Sequence, residues 1–85
     1  MSNYKIIGIA IKHRIKEANK TQVILSKYAP IVKTRLGFHE VSENTCSRVG
    51  FIVLHVVDIP EEFFKLKMEL TEIGGIEVQE MNFSI

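Results

Sequence analysis

Residues 4–13, YKIIGIAIKH, and residues 49–58, VGFIVLHVVD, decide how this chain folds. Each is a short run of β-branched and aliphatic side chains, which suits a pleated surface. Because side chains alternate along a strand, Ile7, Ile9 and Ile11 point to one side of the first run and Ile6, Gly8 and Ala10 to the other. In the second run Ile52, Leu54 and Val56 oppose Phe51, Val53, His55 and Val57. Both runs are apolar on both sides, which places both in the middle of a sheet.

Outward from these runs, residues 15–29 carry Ala18, Leu25, Tyr28 and Ala29 on one helical stripe, with Ile24 at its edge. Asn19 and Gln22 stand at capping-box spacing, which would start the regular helix after Ile15. Pro30 ends it, because proline has no N–H and pushes Ala29 toward extended geometry. Residues 31–41, IVKTRLGFHEV, alternate Val32, Thr34, Leu36 and Phe38 against Lys33, Arg35, Gly37 and His39, the pattern of a half-buried or edge strand. Residues 42–47, SENTCS, form a polar turn.

Asp58 and Glu61, again at capping-box spacing with Pro60 between them, open a second helix. Its stripe is Phe63, Leu66, Leu70 and Ile73, with Ile59 leading in. Gly74 and Gly75 end it, since glycine adopts a left-handed C-terminal conformation without a Cβ clash. Ile76–Phe83 is a final strand, polar enough for an edge.

The order β, α, β, β, α, β with right-handed crossovers gives an α+β, ferredoxin-like fold: a four-stranded antiparallel sheet with two helices on one face. The first and third strands are central, and the two halves echo one another as a βαβ repeat. Eighty-five residues fit a single domain spanning 1–85. One side of the sheet is then bare: either Ile6, Gly8 and Ala10 with Phe51, Val53 and Val57, or Ile7, Ile9 and Ile11 with Ile52, Leu54 and Val56. So large an apolar patch predicts a homo-oligomer, dimer or tetramer, joined by sheet burial or edge pairing.

Cys46 is the only cysteine, so no internal disulfide forms and a reducing, cytoplasmic setting is expected. The N-terminus lacks the pattern of a signal peptide, and no apolar run approaches the roughly 20 residues of a membrane span. The net charge of +1 hides an asymmetry of +7 over residues 1–35 and −6 over residues 36–85. That split reads as two surface helices of opposite sign, or as surfaces that attract another copy or an acidic partner. No aromatic residues interleave with the basic ones, which weighs against direct nucleic-acid binding.

No nucleophile, base and orienting acid form a recognisable motif, and no glycine-rich phosphate loop follows a strand, so neither catalysis nor a cofactor is expected. His39 and Cys46 are candidate metal ligands, since imidazole and thiolate suit zinc, nickel or copper; Glu40, Glu43 or a second subunit would have to complete the set. The alternative is an exposed histidine and a small turn cysteine. Arg35 and Arg48 flank the turn and, with His39, make a candidate site for an anionic ligand through paired N–H donors; otherwise they are solvated edge residues. His55, inside an apolar strand, reads as an interface histidine.

The segment from Ile31-Val32 through Arg35-Leu36-Gly37-Phe38, the long apolar strand, and then Leu70, Ile73-Gly74-Gly75-Ile76 and Val78 resemble the iron-only hydrogenase system regulators, a family of transcriptional-regulator type. The resemblance implies an ACT-like oligomeric regulatory domain that responds to a small-molecule effector or protein partner and has no DNA-binding segment of its own. More distantly, Gly37-Phe38-His39 and Cys46 resemble the metal-sensing domain of the nickel-responsive repressor NikR, with Gly37 where that family has a first histidine. ACT domains that bind amino acids carry a glycine in the first strand–helix loop; here the loop is His13-Arg14-Ile15-Lys16.

Overall fold

The computed structural model describes residues 3–41 and 46–85, the side chains of 14–16, 18, 38–41 and 46–48 excepted. Its elements are β1 (Asn3–Ile11), α1 (Arg14–Lys27), a short 3-10 turn (Ala29–Ile31), β2 (Val32–Val41), β3 (Cys46–Val56), α2 (Pro60–Thr71) and β4 (Ile76–Ser84). The sheet order is β2-β3-β1-β4, with every neighbouring pair antiparallel. The two runs that are apolar on both sides are thus the central strands.

The β1–β3 register sets Ile7 opposite Leu54 and Ile9 opposite Ile52. These side chains, with Ile11 and Val56, are buried beneath the helices, so the second of the two sets forms the core. Leu25, with Tyr28 just beyond α1, meets them, as do Phe63, Leu66 and Leu70 of α2; Ile73 is also buried. Leu66 and Leu70 have no exposed surface, as expected of the three- and four-residue spacing of the α2 stripe.

On α1 the core stripe departs from expectation. Glu17 and Thr21 are buried two turns and one turn before Leu25, whereas Ala29 is exposed. Thr21 tolerates this position because its hydroxyl donates to the Glu17 carbonyl oxygen at 3.2 Å. Glu17 lies against the backbone of Gly75, where an added Cβ would come within 3.7 Å of its side chain. Asn19, expected as a cap, sits mid-helix because α1 already begins at Arg14.

The α2 start also differs. Ile59, in extended geometry, is the N-cap and no side chain caps the helix, so Asp58 does not serve that role. Pro60 supplies the first turn, where its missing N–H leaves no bond unmade. At the other end α2 stops at Thr71, and only Gly75, at φ +82°, takes left-handed geometry. From there its carbonyl accepts the Lys12 N–H at 2.8 Å, tying the end of β1 to the start of β4.

A bulge breaks the alternation expected of β2. Val32 pairs with Val56 and Thr34 with His55, which leaves Lys33 as the extra residue. Val32 therefore packs against the core, while Thr34 and Leu36 face the opposite side of the sheet beside His55 and Val53. Val32 does not share a face with Leu36.

Two ion pairs fasten the layers. Lys27 bonds Glu69 at 2.8 Å across the two helices, and Lys67 bonds Glu80 between α2 and β4. Part of the opposite charge of the two halves is thus consumed within the chain.

Leu66→Ala is expected to destabilise the fold by about 2–5 kcal/mol, read from chemical denaturation, because a fully enclosed side chain leaves a cavity. The ion pairs set the acid limb. Lys67 holds the Glu80 carboxyl below the ordinary carboxylate range, and Lys27 does the same to Glu69. A carboxyl whose pKa falls on folding contributes stability that is present above its unfolded value, about 4.3, and lost as pH drops through the folded value. Tm is expected to fall on acidification below about pH 4.5, and less steeply in Glu80→Gln, when followed by circular dichroism.

Candidate functional site

With both helices on one side, the other side of the sheet is uncovered. Its rows follow from the register: Leu36, Val53, Gly8 and Gln79 across the middle, then Thr34, His55, Ile6 and Met81 on one side of that row. Tyr4 and Phe83 form the next pair. Leu36 and Met81 remain 59% and 55% exposed, and Tyr4, Phe51 and Phe83 also reach the surface.

Few polar groups interrupt this face. Gln79 donates to a Glu77 oxygen at 2.7 Å, and the His55 ring stands 5.9 Å from that of Tyr4. Where Gly8 and Ala10 supply little or no side chain, a depression of about 220 Å³ opens between Phe51 and Val53 on one side and Glu77 and Gln79 on the other. A second, shallower one of about 370 Å³ lies over Tyr4, Ile6, Thr34, His55 and Phe83.

A different kind of cleft runs along the β2 flank. It measures about 240 Å³ and is lined by Leu25, Ser26, Ala29 and Val32, with Lys33 and Arg35 contributing cations. The bulge creates this arrangement: Lys33 is expelled from the ladder, and Arg35, opposite Leu54, lies on the helix side of the sheet. One Arg35 amino group donates to the Gln22 side-chain oxygen of α1, which fixes the guanidinium by one of its five N–H donors. The remaining donors suit a carboxylate or phosphate.

The other residues singled out in the sequence fall elsewhere. His39 lies opposite Gly50, and Cys46 opposite Val41, so the hairpin of β2 and β3 brings the backbones of His39, Cys46 and Arg48 to one end of the sheet. Their side chains lie outside the described residues, as does Glu43 altogether; Glu40 is placed by its backbone alone. Arg35 is four residues from His39 along β2, roughly 13 Å at the rise of a strand. Arg35 thus belongs to the cleft and not to the hairpin end. Among the described residues no group of three or more metal-ligating side chains gathers, and no helix is long and apolar enough to cross a membrane. Sequence reasoning missed Lys33, whose place in the cleft depends on a bulge that alternation does not reveal.

No protein-family profile and no curated protein sequence matches the chain. Solved structures do. The uncharacterized protein TM1266 from Thermotoga maritima superposes with a TM-score of 0.81 at 19% identity, covering 98% of this chain and all (100%) of the other. CPII from Thiomonas intermedia K12, bound to ADP and bicarbonate, gives 0.63 at 12% identity over 99% of this chain and 89% of that one. LarC2, the C-terminal domain of a cyclometallase involved in the synthesis of the NPN cofactor of lactate racemase, gives 0.54 at 9% identity, over 99% of this chain and 58% of that one. At these identities the likeness establishes the βαββαβ fold. A regulatory protein and part of an enzyme share it, so the fold alone does not choose between them.

Proposed function

We propose that this chain is a regulatory sensing module that binds a small anionic effector in the α1–β2 cleft and acts through association with protein, without catalysing a reaction. The observation that carries this reading is that Lys33 and Arg35 both line one cleft whose other walls include Leu25, Ala29 and Val32. Two cations in one cleft favour an anion, and the apolar walls add shape selectivity to charge. Another chain with this fold, CPII, is a nitrogen regulatory PII-like protein that binds ADP and bicarbonate, which supports sensing as a use of the scaffold. The resemblance to iron-only hydrogenase system regulators supports an output in transcription, delivered through a partner that holds the DNA.

Isothermal titration with bicarbonate, inorganic phosphate and ADP tests the effector. At least one is expected to bind saturably, and Lys33→Ala/Arg35→Ala is expected to weaken that binding about tenfold or more, as loss of two charge-assisted hydrogen bonds implies. Binding unchanged in the double variant, or no binding of any of the three, rejects the cleft.

The hairpin register supports a second reading, a metal sensor, because His39 and Cys46 lie near one another on adjoining strands. Two ligands leave a tetrahedral site open, so a subunit partner would complete it. Purified protein would then carry stoichiometric zinc, nickel or copper that Cys46→Ala loses; metal-free protein at neutral pH ends that reading.

A further inference from the structure

We infer that the uncovered sheet face is covered by the same face of a second copy of this chain, with the gap over Gly8 at the centre of the contact. This rests on the reading of the chain as a module that acts by association, and it names the partner.

Gly8 supplies the first argument. It sits mid-strand in the central strand β1, between Val53 and Gln79, where glycine weakens a strand by roughly 0.5–1 kcal/mol relative to alanine. Nothing inside the subunit requires that cost: a Cβ built on Gly8 meets no atom within 4 Å. A glycine inside a strand marks close approach of something else, and here the space lies outside the subunit.

Area and charge identify the visitor. Four strands of about nine residues present roughly 30 by 19 Å, on the order of 600 Å² in projection. That matches the upper end of what a monomer leaves apolar, and it approaches the ~800 Å² that each partner buries in a stable complex. A strongly charged partner finds little matching charge. Of the Asp, Glu, Lys and Arg side chains among the described residues, the strand register places only Glu77 on this face, near one end of the edge strand β4, where it accepts a hydrogen bond from Gln79. A mostly apolar surface whose one carboxylate side chain lies toward the end of an edge strand can meet its own copy with little like-charge repulsion, as a two-fold interface requires. The face is also self-complementary in relief. Leu36 projects from the row that contains the Gly8 gap, two strands away, so one copy offers both the side chain and the hollow to receive it.

Sedimentation velocity on the full chain tests this with Gly8→Arg, which has room inside the subunit but sets a charge in the middle of the contact. Wild type is expected to associate, and Gly8→Arg to raise the dissociation constant about 100-fold or more, with the far-ultraviolet circular dichroism of the folded chain retained. Leu36→Arg, at an exposed position on an edge strand, is a second variant of the same face and is expected to behave alike. Val23→Arg on the outer side of α1 and Phe64→Arg on α2 are expected to associate as wild type does. A monomeric wild type, folded Gly8→Arg and Leu36→Arg variants that associate normally, or dissociation by Phe64→Arg in their place overturns the inference. Effector binding measured on Gly8→Arg separates the two proposals, because Lys33 and Arg35 lie on the other side of the sheet edge. Binding that survives in a dissociated variant leaves the sensing reading intact.

Discussion

The antiparallel pairing of β1 with β3 is the constraint on which the rest of the molecule depends. It sets Ile7 against Leu54 and Ile9 against Ile52, so that six β-branched or aliphatic side chains, completed by Ile11 and Val56, make one continuous apolar floor. Both helices dock on that floor, and neither would hold its place without it, because isolated helices of this length are marginal in water. Slipping β1 by one residue against β3 would turn Ile7, Ile9 and Ile11 outward and bring Gly8 and Ala10 beneath the helices, leaving a hollow in the core. The bulk of Leu54 and of the two isoleucines therefore selects both the register and the buried side.

That selection was only half legible in the sequence. Alternation showed two central strands, and their apolar character on both sides told where they lie in the sheet. The same character concealed which side the helices cover. Relative bulk held the answer: the buried set is uniformly large, and the uncovered one contains Gly8 and Ala10. On α2 the stripe of Phe63, Leu66 and Leu70 was plain. On α1 it was masked by Glu17 and Thr21, because a buried carboxylate and hydroxyl do not register as core positions by residue type. Thr21 is accommodated by a hydrogen bond to its own helix, a local solution that no pattern of hydrophobicity reports.

The candidate site shows the same division. Arg35 was recognisable as a donor group, but its side of the sheet was decided by the bulge at Lys33, which reverses the alternation of β2 partway along. Without the bulge, Val32 and Leu36 would share a face, and the strand could not give Val32 to the core and Leu36 to the open side. The division of charge between the two halves was equally plain in the sequence, while its use was not. Lys27 and Glu69 spend part of it joining α1 to α2, and the cations left at the cleft are those on β2.

Strand β2 consequently serves two surfaces at once. Arg35 faces α1 and the proposed effector cleft, while its neighbour Leu36 faces the uncovered side of the sheet and the proposed second copy. An edge strand is held on one side only, so a small shift of β2 against β3 costs less than a shift of either central strand. An effector that draws Arg35 toward α1 would displace Leu36 within the contact between copies. If binding alters the stability of that contact, linkage requires association to alter effector affinity by the same factor. Under the two proposals, two consecutive residues on opposite sides of one edge strand would connect the anion cleft to the contact between copies.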